Sequence, residues 1–137
     1  MTYALGESLQ MAIYGRLVAD TALDALLSGA IYDAVPDAAP DLFVALGPEQ
    51  AVTRSDHSGE GALHDMQISV VTKRGGYIAA KAAAARVSDA LVGADLALTR
   101  GRLVSLRFLR ARARRDEGEN TRRIDLWFRA RVDDENI

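Results

Sequence analysis

The chain has 137 residues, 49% of them hydrophobic and 26% charged, with a formal net charge of −2 and no cysteine. The length suits a single domain over residues 1–137 that buries roughly 68% of its unfolded surface, and the missing thiols exclude a disulfide framework, a cysteine nucleophile and a sulfur-ligated metal. No apolar run reaches the roughly 20 residues of a membrane span, and Glu7 and Arg16 interrupt the apolar start where a secretory leader would be uncharged, so a soluble domain in a reducing cytoplasm is expected, with no membrane partner.

Leu5, Leu9, Ile13 and Leu17 recur at helical spacing, with Met11, Tyr14 and Val18 widening the stripe, and predict a helix over about 5–18. Thr21 followed by Asp24 resembles a capping box opening a short helix over 22–27, which Gly29 is placed to end. Ile31 to Pro36 is expected to be extended, since the residue before a proline is pushed away from helix. Asp41 to Leu46 is a short apolar run bounded by Pro40 and Gly47-Pro48, and predicts a buried strand. Pro48 to Ala62 has no apolar period and is expected to be an exposed loop, of a length that in compact domains is usually functional.

Between Leu63 and Leu91 the period changes. Met66, Ile68 and Val70 alternate with Gln67, Ser69 and Val71, a strand; Gly75-Gly76 breaks the pattern, and Tyr77 to Leu91 repeats apolar residues every three or four positions, an alanine-rich helix. Asp95 to Thr99 and the residues from Arg102 read as a hairpin through Arg100-Gly101, with Val104, Leu106 and Phe108 on one face. After the polar turn Asp116–Asn120, the residues Ile124, Leu126, Phe128, Ala130 and Val132 alternate with Asp125, Trp127, Arg129 and Arg131, a strand half buried and half wet. Residues 133–137 are expected to fray. The fold class is α+β: a mainly antiparallel sheet packed against two helices.

Charge divides along the chain. Residues 1–60 hold two cations against nine acids, and residues 61–137 hold fifteen against ten. In the last strands Arg107, Arg110, Arg112, Arg114 and Arg115 face Arg122, Arg123, Arg129 and Arg131, and like charges opposite one another destabilise a ladder unless countered. Three counter-charges are open: acids of a neighbouring subunit, for which Asp20, Asp24, Asp33, Asp37 and Asp41 form a matching surface; the local acids Asp116, Glu117, Glu119 and Asp125; or nucleic-acid phosphates, which arginine binds well. The last would make the chain a nucleic-acid-binding module using its C-terminal arginine hairpin, against which stand its overall acidity and its few aromatics for base stacking.

Catalytic signals are weak. Lys73-Arg74-Gly75-Gly76 opens a helix and could hold an anion but lacks P-loop spacing. His57 and His64 read as exposed polar residues in place of metal ligands, and no serine or lysine sits in a recognisable activating context. No catalytic, cofactor-binding or metal-binding residue is expected.

The order of these pieces carries a resemblance. An amphipathic N-terminal helix, then Ile31-Tyr32-Asp33-Ala34-Val35-Pro36, a strand ending Val44-Ala45-Leu46-Gly47, the strand Gln67-Ile68-Ser69-Val70-Val71, Arg74-Gly75-Gly76 opening a helix that closes with Val87-Ser88-Asp89-Ala90-Leu91, and an arginine-bearing hairpin resemble the tail terminator, or tail-completion, proteins of long-tailed bacteriophages and gene transfer agents. The resemblance implies a structural protein without catalytic activity or cofactor. Copies would form a homo-oligomeric ring, six in the family, on the head-proximal end of the tail tube, end its polymerisation and dock to the head connector or stopper protein, with DNA passing through without sequence-specific binding. Assembly would take place in the bacterial cytoplasm and the product would belong to the particle. A ring needs different faces of each copy to meet, and the uneven charge suggests Asp20, Asp24 and Asp33 of one copy against Arg110, Arg112 and Arg129 of the next.

Overall fold

Leucine and isoleucine every fourth residue set the first helix. In the computed structural model, which describes residues 3–53, 61–116 and 120–134, α1 (Gly6–Ala19) turns Leu9, Ile13 and Leu17 into the core, with Leu5 buried just before it. The next helix, α2 (Thr21–Leu27), is capped by Asp20 and not by Thr21: the Leu23 N–H donates to Asp20 Oδ1 at 2.8 Å. The carboxylate is the stronger acceptor and also complements the positive helix start. Ser28 (φ 50°) and Gly29 (φ 83°) then take the chain out in left-handed conformation.

Of the extended segment expected from Ile31 to Pro36 only β1 (Ile31–Tyr32) pairs, parallel to β2. The strands β2 (Leu42–Thr53) and β3 (Gly61–Thr72) are each 12 residues long. Pro48–Thr53 and Gly61–Ala62 are therefore strand where the sequence predicts loop; residues 54–60, with His57, lie outside the described residues. The punctuation at Gly47-Pro48 marks a bulge, not an end. The register slips between Leu46 and Glu49, proline's missing N–H is tolerated there, and a side chain at 47 would press on the Gln67 carbonyl at 3.2 Å.

Helix α3 (Ile78–Leu91) buries Ala80, Ala83, Ala84, Val87, Ala90 and Leu91, the alanines letting it lie close to the sheet. Asp95–Thr99 forms no strand. Its alternation reflects half-burial of Leu96 and Leu98 against the core, while the backbone passes the start of α1, where Ser8 Oγ donates to the Arg100 carbonyl at 3.1 Å. β4 (Arg102–Arg115) and β5 (Arg122–Asp133) complete a five-stranded sheet of order β1-β2-β3-β5-β4, antiparallel except at β1. The domain is α+β as expected, with α2 as a third helix among the described residues.

The helices cover one face. Val44, Ile68, Val70, Leu126, Phe128, Ala130 and Val132 meet them there and are buried. His64 points the same way: its residue is fully buried, stacked on Tyr3 with 5.7 Å between ring centroids, and its Nδ1 lies 3.1 Å from Glu49 Oε2. The exposed position expected for it is overturned because strand parity places residues 62, 64 and 66 together on the core side. With the helices on one side, the alternate residues of β3, β5 and β4 form the other face.

Candidate functional site: the arginine-bearing sheet face

Register assembles this face in rows across β3, β5 and β4. Asp65, Arg129 and Arg107 form one; Gln67, Trp127 and Arg110 the next; then Ser69, Asp125 and Arg112; then Val71, Arg123 and Arg114. Like charges stand opposite at Arg107/Arg129 and Arg114/Arg123, and each pair is relieved from the side. Arg129 grips Asp65 with two parallel bonds, Nε to Oδ1 at 2.7 Å and the second nitrogen to Oδ2 at 2.9 Å. Asp116 lies 2.9 Å from Arg114 and 3.8 Å from Arg123. The buried Asp125 accepts from Ser69 Oγ at 2.7 Å and Arg114 Nε at 3.1 Å, so its charge is compensated. Arg110 lies over the Trp127 ring at 5.0 Å.

The local acids Asp116 and Asp125 thus take part of the balancing role considered for them, while Glu117 and Glu119 lie outside the described residues. Asp65, 64 residues from Arg129 in sequence, was not foreseen; its position two residues before Gln67 in an alternating strand was the available signal. Apart from that of the buried Asp125, these pairs are partly exposed to solvent, and such pairs contribute little stability each, about 0–1 kcal/mol. Their main effect is to fix where the guanidinium groups stand. Arg107, Arg112 and Arg115 form no ion pair among the described residues. Arg107, Arg129, Arg131 and Ser105 border a depression of about 490 Å³ that could accept a carboxylate or a phosphate.

The hydrogen bonds from Arg129, with its charge and that of Arg107, hold the Asp65 carboxyl below the usual carboxylate range, desolvation opposing them. A lowered folded-state value stabilises the protein fully above the unfolded value of about 3.9, and the contribution fades as pH falls through the folded value. Asp65→Asn is therefore expected to melt below the wild type at pH 7, with the gap closing as pH drops under about 4. Thermal melts across pH check this; a gap independent of pH would mean the loss is not ionic.

The predicted acids sit elsewhere. Asp20 caps α2, Asp24 is exposed on α2, and Asp33 follows β1 and accepts from the Gln10 side chain at 2.8 Å. These lie on the β1 side of the sheet and the arginines towards β4, so no acid of the first set meets Arg110, Arg112 or Arg129 within one chain; Arg129 is held by Asp65. The cations before α3 are also committed: Arg74 pairs with Asp41 at 2.8 Å, and Lys73 reaches the Ala39 carbonyl at 3.3 Å and lies over Phe43.

The family model of tail completion protein gp17 matches residues 11–133. Among solved structures, the chain is similar to one in "Virion of native gene transfer agent (GTA) particle", at 57% identity and a TM-score of 0.91, over 96% of this chain and 99% of that one. No curated protein matches.

Proposed function

Because the chain belongs to the tail completion protein gp17 family, we propose that it closes the tail of a phage-like particle: copies join as a ring, six in number, on the head-proximal end of the tail tube, stop its growth and offer the surface to which the head connector docks. The chain is a structural protein of a virion tail, and its family is not a class of enzymes. The observation that carries the reading is the likeness, over nearly the full length of both chains, to a component of an assembled gene transfer agent particle. DNA would pass through the opening, and assembly would take place in the cytoplasm before the ring becomes part of the particle. Electron microscopy of the purified protein, alone and mixed with tail-tube protein, tests it. Rings and capped tubes of limited length are expected; bare tubes that keep growing, with no rings, would refute it.

Charge would guide the closure. Asp20, Asp24 and Asp33 on the β1 side of one copy would face Arg110, Arg112 and Arg129 on the β4 side of the next, fixing direction and register. Since Arg129 is held by Asp65 within the chain, Arg110 and Arg112 are the informative positions. Arg110→Glu with Arg112→Glu is expected to weaken association on the order of a hundredfold, seen by light scattering as monomers where the wild type forms rings. Unchanged assembly would remove the electrostatic part and leave the tail role standing.

A further inference from the structure

Two apolar surfaces of this domain lie open at opposite edges of the sheet. On α1, Met11, Tyr14 and Val18 are 57%, 40% and 44% exposed. Their spacing puts them on one line of the helix, separate from the buried line of Leu9, Ile13 and Leu17. Glu7 continues that line one turn earlier, and Asp33 borders the hollow beside Met11 and Tyr14. This is a ridge with an acidic margin, next to β1.

At the other edge, α3 stops short of covering β4. Between them runs a groove of about 400 Å³ whose walls are Ala84 and Ala85 on the helix and Ala111, Ala113 and Phe108 on the strand, with Leu126 in its floor. Phe108 remains 42% exposed even with its edge against the Phe128 ring. The small residues leave room for side chains from outside, and the groove's charged lining residue is Lys81. Arg115 stands on the same face of β4, in register with Arg122.

Resting on the ring reading above, we propose that the contact between neighbouring copies is centred on Met11, Tyr14 and Val18 of one copy seated in the groove between α3 and β4 of the next. The occupant is a second copy because the ridge and the groove complement each other in three respects: a convex helix line against a concave channel, apolar against apolar, and an acidic margin against a basic one. A desolvated apolar centre with a charged rim is the ordinary anatomy of a stable interface. The two surfaces belong to different edges of one domain, so one chain cannot join its own pair. Unlike surfaces give a head-to-tail contact, which closes into a ring when the rotation allows. Glu7 and Asp33 beside the ridge and Lys81 and Arg115 beside the groove supply the charged rim of this contact.

The test uses Tyr14→Lys, with Met11→Lys as a second ridge variant, and Ala111→Arg, which fills the groove. All three positions are exposed, and circular dichroism verifies that the proteins fold. Each variant alone is expected to be monomeric by light scattering where the wild type forms rings. An equimolar mixture of a ridge variant and the groove variant retains one intact contact per pair and should stop at the heterodimer. Variants that assemble like the wild type, or a mixture that stays monomeric or builds full rings, would overturn the contact. A wild type that forms no rings and leaves tubes uncapped would sink the tail-closing reading as well; wild-type rings that tolerate the substitutions would overturn the contact alone.

Discussion

Phe128→Ala is expected to lose about 3–5 kcal/mol of folding stability, a fifth or more of the roughly 5–15 kcal/mol that a folded domain usually has. Phe128 is fully buried in the middle of β5, which pairs with β3 on one side and β4 on the other. Directly opposite it in register stand Met66 and Phe108, the latter edge-on at 5.8 Å between ring centroids. Truncation leaves a void bounded by strands on both sides and by the helix layer, none of which can close in without breaking ladder hydrogen bonds. Urea unfolding should show a lower midpoint with an unchanged slope, the sign of lost stability in a still cooperative domain. A loss under about 1 kcal/mol would mean that Phe108 swings in to fill the space.

Gly101→Ala is the second substitution with a large expected effect. Gly101 turns the chain into β4 at φ 74°, a conformation that costs a residue with a side chain about 1–3 kcal/mol. Space is also lacking: an added Cβ would stand 2.7 Å from the Asp133 carbonyl oxygen and 2.7 Å from a Leu5 methyl. Leu5 can rotate, but the carbonyl belongs to β5, so the first pairs of β4 with β5 must shift. A melting temperature lowered by several degrees is expected, together with faster amide exchange at Leu103 and Ser105 than at Ala111 and Ala113. Equal exchange along β4 would show that the strain is absorbed in the turn.

Where sequence and structure agree, one physical period governs a whole element. The alternation from Ile124 to Val132 is the observed β5, because β5 lies inside the sheet with one face on the helices and the other wet. The spacing from Tyr77 to Leu91 is α3 for the same reason. Where they differ, a tertiary contact outweighs a local signal. Gly47-Pro48 looks like a terminator, yet β3 pairs on both sides of it and converts it to a bulge. His64 shares the parity of Met66, Ile68 and Val70, but its polar type masks that mark; the Glu49 and Tyr3 side chains that flank it come from other parts of the chain.

The arginine face was legible in composition but not in partnership. Strand alternation alone sets Arg107 opposite in facing to Arg110, Arg112 and Arg114; the register shift between Phe108 and Arg110 brings them to one side, and Asp65 reaches Arg129 only through the pairing of β3 with β5. Met11, Tyr14 and Val18 were visible as a stripe too broad for one buried line. Whether the surplus faces the core or solvent depends on where α3 and the sheet leave room, which periodicity does not encode.

The long border strand bears a further consequence. β4 offers an unpaired backbone edge 14 residues long, the kind of template along which identical chains can stack without limit. Arginines at 102, 107, 110, 112, 114 and 115 stud that edge. Two such borders brought side by side would set cation against cation along their length, so fibril-like growth is opposed before it begins. The protein is thereby kept from polymerising through its own exposed strand.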